Sequence, residues 1–499
     1  MLEQILFNLI WILPFLTVLA CVPISAKNVR LLKKVHLGSA GVVLLISLFL
    51  AGKMLLTYEP YTGGNAFKLS YLTDFPWIAL LSSHYLVGAD ALSILMLVLA
   101  TVIIFTGILA SWKLDHGQKV FFALIQILAA SVYGVFMSFD LVLFFVFYEM
   151  EALCMYLIIA GYGSGDKDYG GKKLTLTLAV GSAMVLAALI GVFIEGGSWN
   201  LLELADVRLP EGFQMWAFPL LFMGFAVSSS LFPFHFWSPA GHSSAPTAVS
   251  MFAAGVMMKM GAYGCLRVAL YLMPEAAKVW LPYVLAFVVF NVVLGPFIAM
   301  RHKDLKYITA YSSISHLGLI FLGIAAVTPV SLRGAALQML SHGFLTGLFF
   351  ATIGMIYGRT HTRDISQMGG IMKVMPFLGV GFVIAGFAGL GLPGFSGFVA
   401  ESTIFVGSFQ NGDTLTRIVT ILAILSITAT AVYILQTANK MLHGPIRNPH
   451  FAELTDADFE EKVVVVIFVV FLLLLGLCPA PFADFLDTSI SPIYANLVR

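Results

Sequence analysis

Leu141-Val-Leu-Phe-Phe-Val-Phe-Tyr-Glu149-Met-Glu151-Ala-Leu-Cys-Met-Tyr-Leu-Ile-Ile-Ala-Gly-Tyr162 is apolar around almost the whole of a helix, yet it carries an acid near its middle. About 20 such residues cross the hydrocarbon core of a bilayer. A charged side chain at that depth costs about 2.5–3.5 kcal/mol on the insertion scale, so Glu149 needs a reason to be there. Lys259, His316, His342 and Glu401 lie equally deep in other apolar runs. A chain that keeps one ionisable group in helix after helix is most simply read as carrying charge or protons across the membrane.

Composition agrees. Apolar residues make up 60% of the 499 and charged residues only 11%, with 42 phenylalanines. A soluble domain carries about 25% charged residues, so the chain reads as an all-α polytopic membrane protein in contact with the lipid bilayer. A net charge of +1 and the lack of any long basic run argue against nucleic acid as a partner. Cys21, Cys154, Cys265 and Cys478 are scattered and form no C-x-x-C pair, which points to small apolar residues rather than disulfides, zinc or iron–sulfur ligands. No metal site is expected. The N-terminus carries Glu3 and no basic region, so the first apolar run is expected to be a retained helix and not a signal peptide.

Apolar runs predict fourteen helices, near 5–25, 36–56, 85–112, 119–138, 141–162, 173–195, 214–245, 247–272, 279–300, 305–326, 332–357, 374–409, 414–442 and 463–483. An even number puts both termini on one side. The loop after the first helix holds Lys27, Arg30, Lys33 and Lys34, and alternate loops share its excess, giving eighteen cations against seven on the other side, Arg499 included. The positive-inside rule then places the cation-rich loops in the cytoplasm and both termini outside. Lys259 and Arg267 are left over, within the eighth span.

Two runs are too long and are interrupted: Phe225-Ala-Val-Ser-Ser-Ser-Leu-Phe-Pro233-Phe-His235 and Gly389-Leu-Gly-Leu-Pro393-Gly-Phe-Ser-Gly397. Proline removes a helical hydrogen bond and collides with the preceding turn, so both helices should break near mid-membrane, where freed backbone must line a cavity. The breaks fall five helices apart, the trace expected of an inverted repeat. The implied division is 1–118 for three leading helices, 119–272 and 273–442 for the two repeats, and 443–499 for the last helix.

A carboxyl group removed from water is a workable proton carrier, because desolvation and neighbouring charges together set its protonation. Glu149 fits that role, though an inter-helix hydrogen bond would also retain it. Glu151 lies about 200° round the helix and reads as an interface or headgroup contact. Lys259 is too deep to snorkel, so it is either deprotonated or paired with an acid, and exchange between those states suits a relay. His316 and His342 can pass protons through either ring nitrogen, with Ser312, Ser313, Ser315, Gln338 and Ser341 nearby to hold water. Glu401 follows the second break as a terminal acid. His235 and His242 are weaker candidates, and Gly161-Tyr-Gly-Ser-Gly follows a helix rather than a strand and reads as a turn, not a phosphate loop.

Leu231-Phe-Pro-Phe-His, Ala245-Pro-Thr, Gly255-Val-Met-Met-Lys-Met-Gly, Ala310-Tyr-Ser-Ser-Ile-Ser-His, Gln338-Met-Leu-Ser-His-Gly, His361-Thr-Arg-Asp and Gly391-Leu-Pro-Gly-Phe-Ser-Gly-Phe-Val-Ala-Glu together resemble the M subunit of bacterial proton-translocating NADH:quinone oxidoreductase, respiratory complex I. The resemblance covers essentially the whole chain. It implies an antiporter-like fold of fourteen helices with broken helices 7 and 12, two inverted five-helix repeats and a polar axis in the membrane plane. It also implies Glu149 as the acid of the fifth helix, Lys259 as the central lysine, His316 and His342 as relay groups and Glu401 as the terminal acid. NADH, flavin, iron–sulfur clusters and quinone would then belong to partner subunits, with none in this chain, and the partners would include paralogous antiporter-like subunits in a bacterial cytoplasmic membrane. An end near helix fourteen, without a further amphipathic helix, is also similar to that subunit.

The chain departs from the family where a lysine usually pairs with the acid of the fifth helix: the matching residue is Ser228. Ala240 stands where an acid is usual, and Cys154 where a proline is. A cation/proton antiporter subunit of the Mrp kind, a membrane subunit of a ferredoxin-linked hydrogenase complex and a non-pumping spacer remain alternatives to the complex I reading.

Overall fold

Residues 1–64 and 66–498 are described by the structure, a computed structural model; Arg499 lies outside the described residues. The principal helices are α1 (Leu2–Cys21), α2 (Val29–Thr57), α3 (Ala91–Ala110), α4 (Gln118–Met137), α5 (Leu141–Tyr162), α6 (Lys167–Gly196), α7 (Glu211–Ser228), α8 (Trp237–Ser244), α9 (Thr247–Leu270), α10 (Pro274–Ala299), α11 (Leu305–Ala325), α12 (Pro329–Thr360), α13 (Pro376–Gly389), α14 (Ser396–Gln410), α15 (Thr414–Leu442), α16 (Phe459–Leu477) and α17 (Ala480–Leu497). Many start at a side chain that accepts from the first free N–H groups: Asn28, Asp90, Asp140, Asp166, Asp304, Thr328 and Asp413. Each such cap contributes about 1 kcal/mol and fixes where an apolar run begins.

Among the described residues, eleven helices are long and apolar enough to cross a membrane, or twelve if the bent pair α16–α17 counts as one. α3, α9, α11 and α12 are buried almost all round, whereas α1, α2, α5, α6, α10 and α15 expose half or more of their span. The first four form the centre and the others wrap them. A helix that is apolar on every side belongs in such a centre, and these four also carry Lys259, His316 and His342.

Both predicted breaks are present, and they close in the same way. In the first, Leu231 N–H bonds to Ala226 O, Ser230 to Val227 O and Phe234 to Leu231 O; in the second, Leu392 bonds to Phe387 O, Gly391 to Ala388 O and Phe395 to Leu392 O. The pattern is identical position for position. Asn291 of α10 stitches the first break: its Oδ1 accepts from Phe232 N–H at 2.8 Å and its Nδ2 donates to Ser230 O at 3.1 Å and Ile314 O at 3.2 Å.

Two expectations are corrected. The third helix begins later than 85, because a hairpin, β1 (Ser70–Ile78) paired antiparallel with β2 (Ser83–Ala89), precedes it in an otherwise helical chain and α3 starts at Ala91. Tyr85, Leu86 and Val87 extend the apolar run in sequence, but Phe75 and Thr73 pair with Tyr85 and Val87 across the hairpin. Asp140 locks the hairpin to α5, accepting from Ser83 Oγ and His84 N–H while it caps α5 through Val142 and Leu143 N–H, all at 2.9–3.0 Å. The chain also does not finish near 483: Cys478 and Pro479 turn it by 81° into α17, which packs on α3 and α12. Cys478 at that turn is exposed, while the other three cysteines are buried.

Candidate functional site

Lys259 sits on α9 between two stretches, Ala253–Met257 and Cys265–Leu270, where the helix widens to π-type turns. Such turns recur at functional sites because they re-aim side chains and loosen backbone carbonyls. The Lys259 ammonium donates to Ala254 O, one such carbonyl, and the side chain is fully buried. Gly255, one turn away, meets Gly343 of α12: a Cβ on Gly343 would lie 2.8 Å from Gly255 O. Two glycines thus let the backbones of α9 and α12 touch, and this contact brings His342 within electrostatic range of Lys259.

From His342 the line continues through α11. The rings of His342 and His316 are 5.1 Å apart. His316 Nδ1 lies 3.2 Å from Glu401 Oε1 on α14 and 3.2 Å from Gln338 Nε2 on α12. A neutral Nδ1 accepts from the Gln338 amide, whereas a protonated one donates to Glu401. One nitrogen therefore has a partner for each protonation state. His316 Nε2, both nitrogens of His342 and Gln338 Oε1 are buried with no hydrogen-bond partner among the described residues. Across the second break, Ser341 and Ser396 hydroxyls bond at 2.7 Å, and Gly391 backs Glu401 so closely that a Cβ there would lie 2.6 Å from Oε2.

The line extends at both ends. His242 of α8, stacked on Phe350, lies within electrostatic range of Lys259, His342 and Lys306. Lys306 is buried and donates to Ala245 O at 2.5 Å. At the far end Tyr433 of α15 stands within range of Glu401, donates to Ser312 Oγ at 2.6 Å, and lines a cavity of about 250 Å³ with Arg301, Lys303, Lys440 and Arg447. Among the described residues the fully buried ion pairs are His316–Glu401 and Arg267–Asp90, and Lys259 is in neither.

Lys259, His316, His342 and Glu401 are thus brought together, while Glu149 is not. It is half-buried on α5, with Ser182 of α6 within hydrogen-bonding reach. Glu151 is the acid that faces inward, only 3% exposed, which corrects its reading as a headgroup contact. It stands within range of Tyr148, whose hydroxyl reaches Ser228. Lys306, Tyr433 and the Arg267–Asp90 pair were missed as site residues: lysine near a span end reads as a boundary cation, and the two others gain meaning only from partners 121 and 177 residues away. Among the described residues no three His, Cys, Asp or Glu side chains converge as metal ligands.

Residues 138–428 match the family model described as NADH:quinone oxidoreductase/Mrp antiporter, transmembrane. The chain is 32% identical to NADH-quinone oxidoreductase subunit M of Rhodobacter capsulatus over 93% of its own length and 90% of that protein. Its fold resembles a chain of respiratory complex I from Thermus thermophilus with bound NADH, with TM-score 0.87, 26% identity, and coverage of 99% and 100% of the two chains. It also resembles a chain of the Mrp complex from Dietzia, with TM-score 0.84 at 18% identity over 100% of both, a likeness of fold alone. With the buried line of ionisable groups running through the matched region, the chain belongs to the NADH:quinone oxidoreductase/Mrp antiporter transmembrane family.

Proposed function

We propose that the chain is an antiporter-like membrane subunit of a complex I-type NADH:quinone oxidoreductase, conducting protons across the membrane in step with electron transfer in other subunits. The observation that carries this reading is the cluster of buried ionisable groups in which Lys259 stands in electrostatic range of His342, whose ring lies 5.1 Å from that of His316, itself 3.2 Å from Glu401. Among the described residues Lys259 has no acid in an ion pair with it, so its charge responds to what surrounds it. Protonation of Lys259 disfavours a second charge on His342, and release toward His316 is favoured by Glu401. Transfer then alternates between Lys259 and the Glu401 end, with the Gln338 and Glu401 partners of His316 distinguishing the two states.

Redox chemistry belongs to partner subunits in this reading, which hold NADH, flavin, iron–sulfur clusters and quinone. Glu149, half-buried on α5, meets in this reading a neighbouring membrane subunit that supplies the cation Ser228 does not. Fourteen spans follow if each broken helix, α7–α8 and α13–α14, counts as one and α17 is set apart from them. The matching closure of the two breaks supports inverted repeats over 119–272 and 273–442, after three leading helices over 1–118 and before the final 443–499. The cation excess of alternate loops supports a bacterial cytoplasmic membrane with both termini outside.

The test is Lys259→Ala, with assembly of the complex verified by native gel. Proton pumping and NADH oxidation are measured together in membrane vesicles. Lost or much reduced pumping with assembly intact is the expected outcome. Pumping and turnover equal to the parent complex would remove Lys259 from the path and favour a spacer.

A further inference from the structure

Lys259, Tyr263 and Arg267 on α9, and Tyr271 in the helical turn that continues it, follow at intervals of four residues, so they lie along one side of the helix. Arg267 stands about 12 Å beyond Lys259, at 1.5 Å per residue, toward the end of the bundle that carries both termini. There Gln4 of α1 reaches Leu72 in the hairpin, and Asn496 of α17 donates to Tyr271 O. Arg267 is 1% exposed and bonds Asp90 Oδ1 through Nη2 at 2.7 Å. Its Nε donates to Tyr263 Oη at 3.3 Å, and its guanidinium lies 4.3 Å from the Phe67 ring centre and 5.1 Å from that of Phe139.

A buried ion pair of this kind is weak evidence for stability, since desolvation offsets most of the attraction. It is also incompletely satisfied: Arg267 Nη1 is buried with no hydrogen-bond partner among the described residues. Its position gives it a use. Beyond Arg267, Tyr271 lines a cavity of about 380 Å³ with Arg208, Glu211, Gln214, Glu275 and Asn496 at the same end of the bundle. The caged guanidinium stands on α9 between the cavity-lining Tyr271 and Lys259. It also presents a fixed positive charge to any proton approaching along it.

We propose that the Asp90–Arg267 pair is the outward seal of the Lys259 site: closed, it keeps protons and water of the outer cavity from Lys259, and opened, it connects them through Tyr263. The helix that sequence reading missed holds the seal shut. Ser489 of α17 accepts from Leu92 N–H at 3.0 Å beside Asp90, and Asp487 of α17 pairs with Arg333 of α12 at 2.7 Å. Because α12 also bears Gln338 and His342, movement of that helix is tied to the seal through Arg333 and α17. The seal rests on Lys259 as a proton carrier, and its test reads a different quantity from pumping.

Inside-out vesicles containing the assembled complex are given an imposed pH gradient with no NADH, and decay of the gradient is followed by a quenched dye. Asp90→Asn should speed the decay several-fold, and adding Lys259→Ala should restore it. Unchanged decay in assembled Asp90→Asn overturns the seal even if Lys259→Ala abolishes pumping. Faster decay that Lys259→Ala does not restore also overturns it, since the leak then avoids Lys259. Should Asp90→Asn fail to assemble, Arg267→Lys carries the same test, because it keeps the charge but loses the planar fork and its ring contacts. If Lys259→Ala alone pumps normally, the relay reading fails, and it does so by a separate measurement.

Discussion

Ser230 and Gly391 occupy the same position in the two helix breaks, and both adopt left-handed backbone, with φ of 54° and 64°. That conformation costs an L-residue with a side chain roughly 1–2 kcal/mol, so the first break carries strain that the second avoids. Ser230→Gly should therefore be neutral or raise thermal stability by up to about 1 kcal/mol. Gly391→Ala should destabilise by at least the same amount. It should also push Glu401 off His316, because its Cβ would meet Oε2 at 2.6 Å. Thermal unfolding of the assembled complex and pumping per electron check the two halves separately.

Glu401→Gln preserves the shape at His316 but removes the carboxylate that partners its protonated form. Loss of a positioned acid–base group slows proton transfer by about 10²-fold or more. Pumping should collapse while the native-gel mobility of the complex stays normal. Glu401→Asp should retain a measurable fraction. A Glu401→Gln complex that pumps at the parental rate would show that His316 Nδ1 needs no acid.

The Gly255–Gly343 contact sets α9, which bears Lys259, directly against α12, which bears His342. Gly343→Ala would place a methyl group 2.8 Å from Gly255 O and 2.5 Å from Leu99. Overpacking of this kind costs about 1–3 kcal/mol. The expected result is a lower unfolding temperature together with slower pumping, because separating the helices also lengthens the proton step. A change in stability with pumping unaltered would show that the relay tolerates a wider gap.

At the cation-rich end, Arg359 of α12 holds Glu461 of α16 through contacts at 2.6 and 3.0 Å. Both side chains are only 10% exposed. Arg359→Ala should cost about 1.5–3 kcal/mol, since it removes two charge-assisted bonds from a mostly buried carboxylate and leaves it Lys113 and Asp458 N–H as partners. Lys113 also pairs with Asp458 and Glu461, but its side chain is 63% exposed, so Lys113→Ala should cost no more than about 1 kcal/mol. Lys113 beside Asp458 holds that carboxyl below its ordinary range. The contribution is present above the unfolded aspartate value of about 3.9 and is lost as pH falls through the lower folded value. In acid unfolding the Lys113→Ala variant should accordingly be less stable than the parent above that value, by no more than about 1 kcal/mol, and converge with it as the pH falls below.

The membrane class, most spans and both breaks were legible from residue chemistry alone, as were Lys259, His316, His342 and Glu401 as ionisable residues buried in apolar runs. A lysine or glutamate in hydrocarbon is recognisable without knowing its neighbours, because its desolvation penalty is a property of the residue and its depth. Proline and glycine likewise act on their own backbone, which is why Pro233 and Pro393 located the breaks. Family resemblance added roles to those positions and flagged Ser228 as a departure.

What the sequence could not determine is every feature that depends on a distant partner. The β2 strand reads as helix until β1 pairs with it, and the inward acid of α5 is Glu151 because of how that helix rotates against its neighbours. Arg267 was only a leftover cation until the fold set Asp90 against it, 177 residues away in the chain. His316 became a two-state nitrogen only when α12 and α14 delivered Gln338 and Glu401 to the same atom. Burial cost is local and additive enough to read along a chain, whereas pairing depends on distances of a few ångströms that packing alone decides.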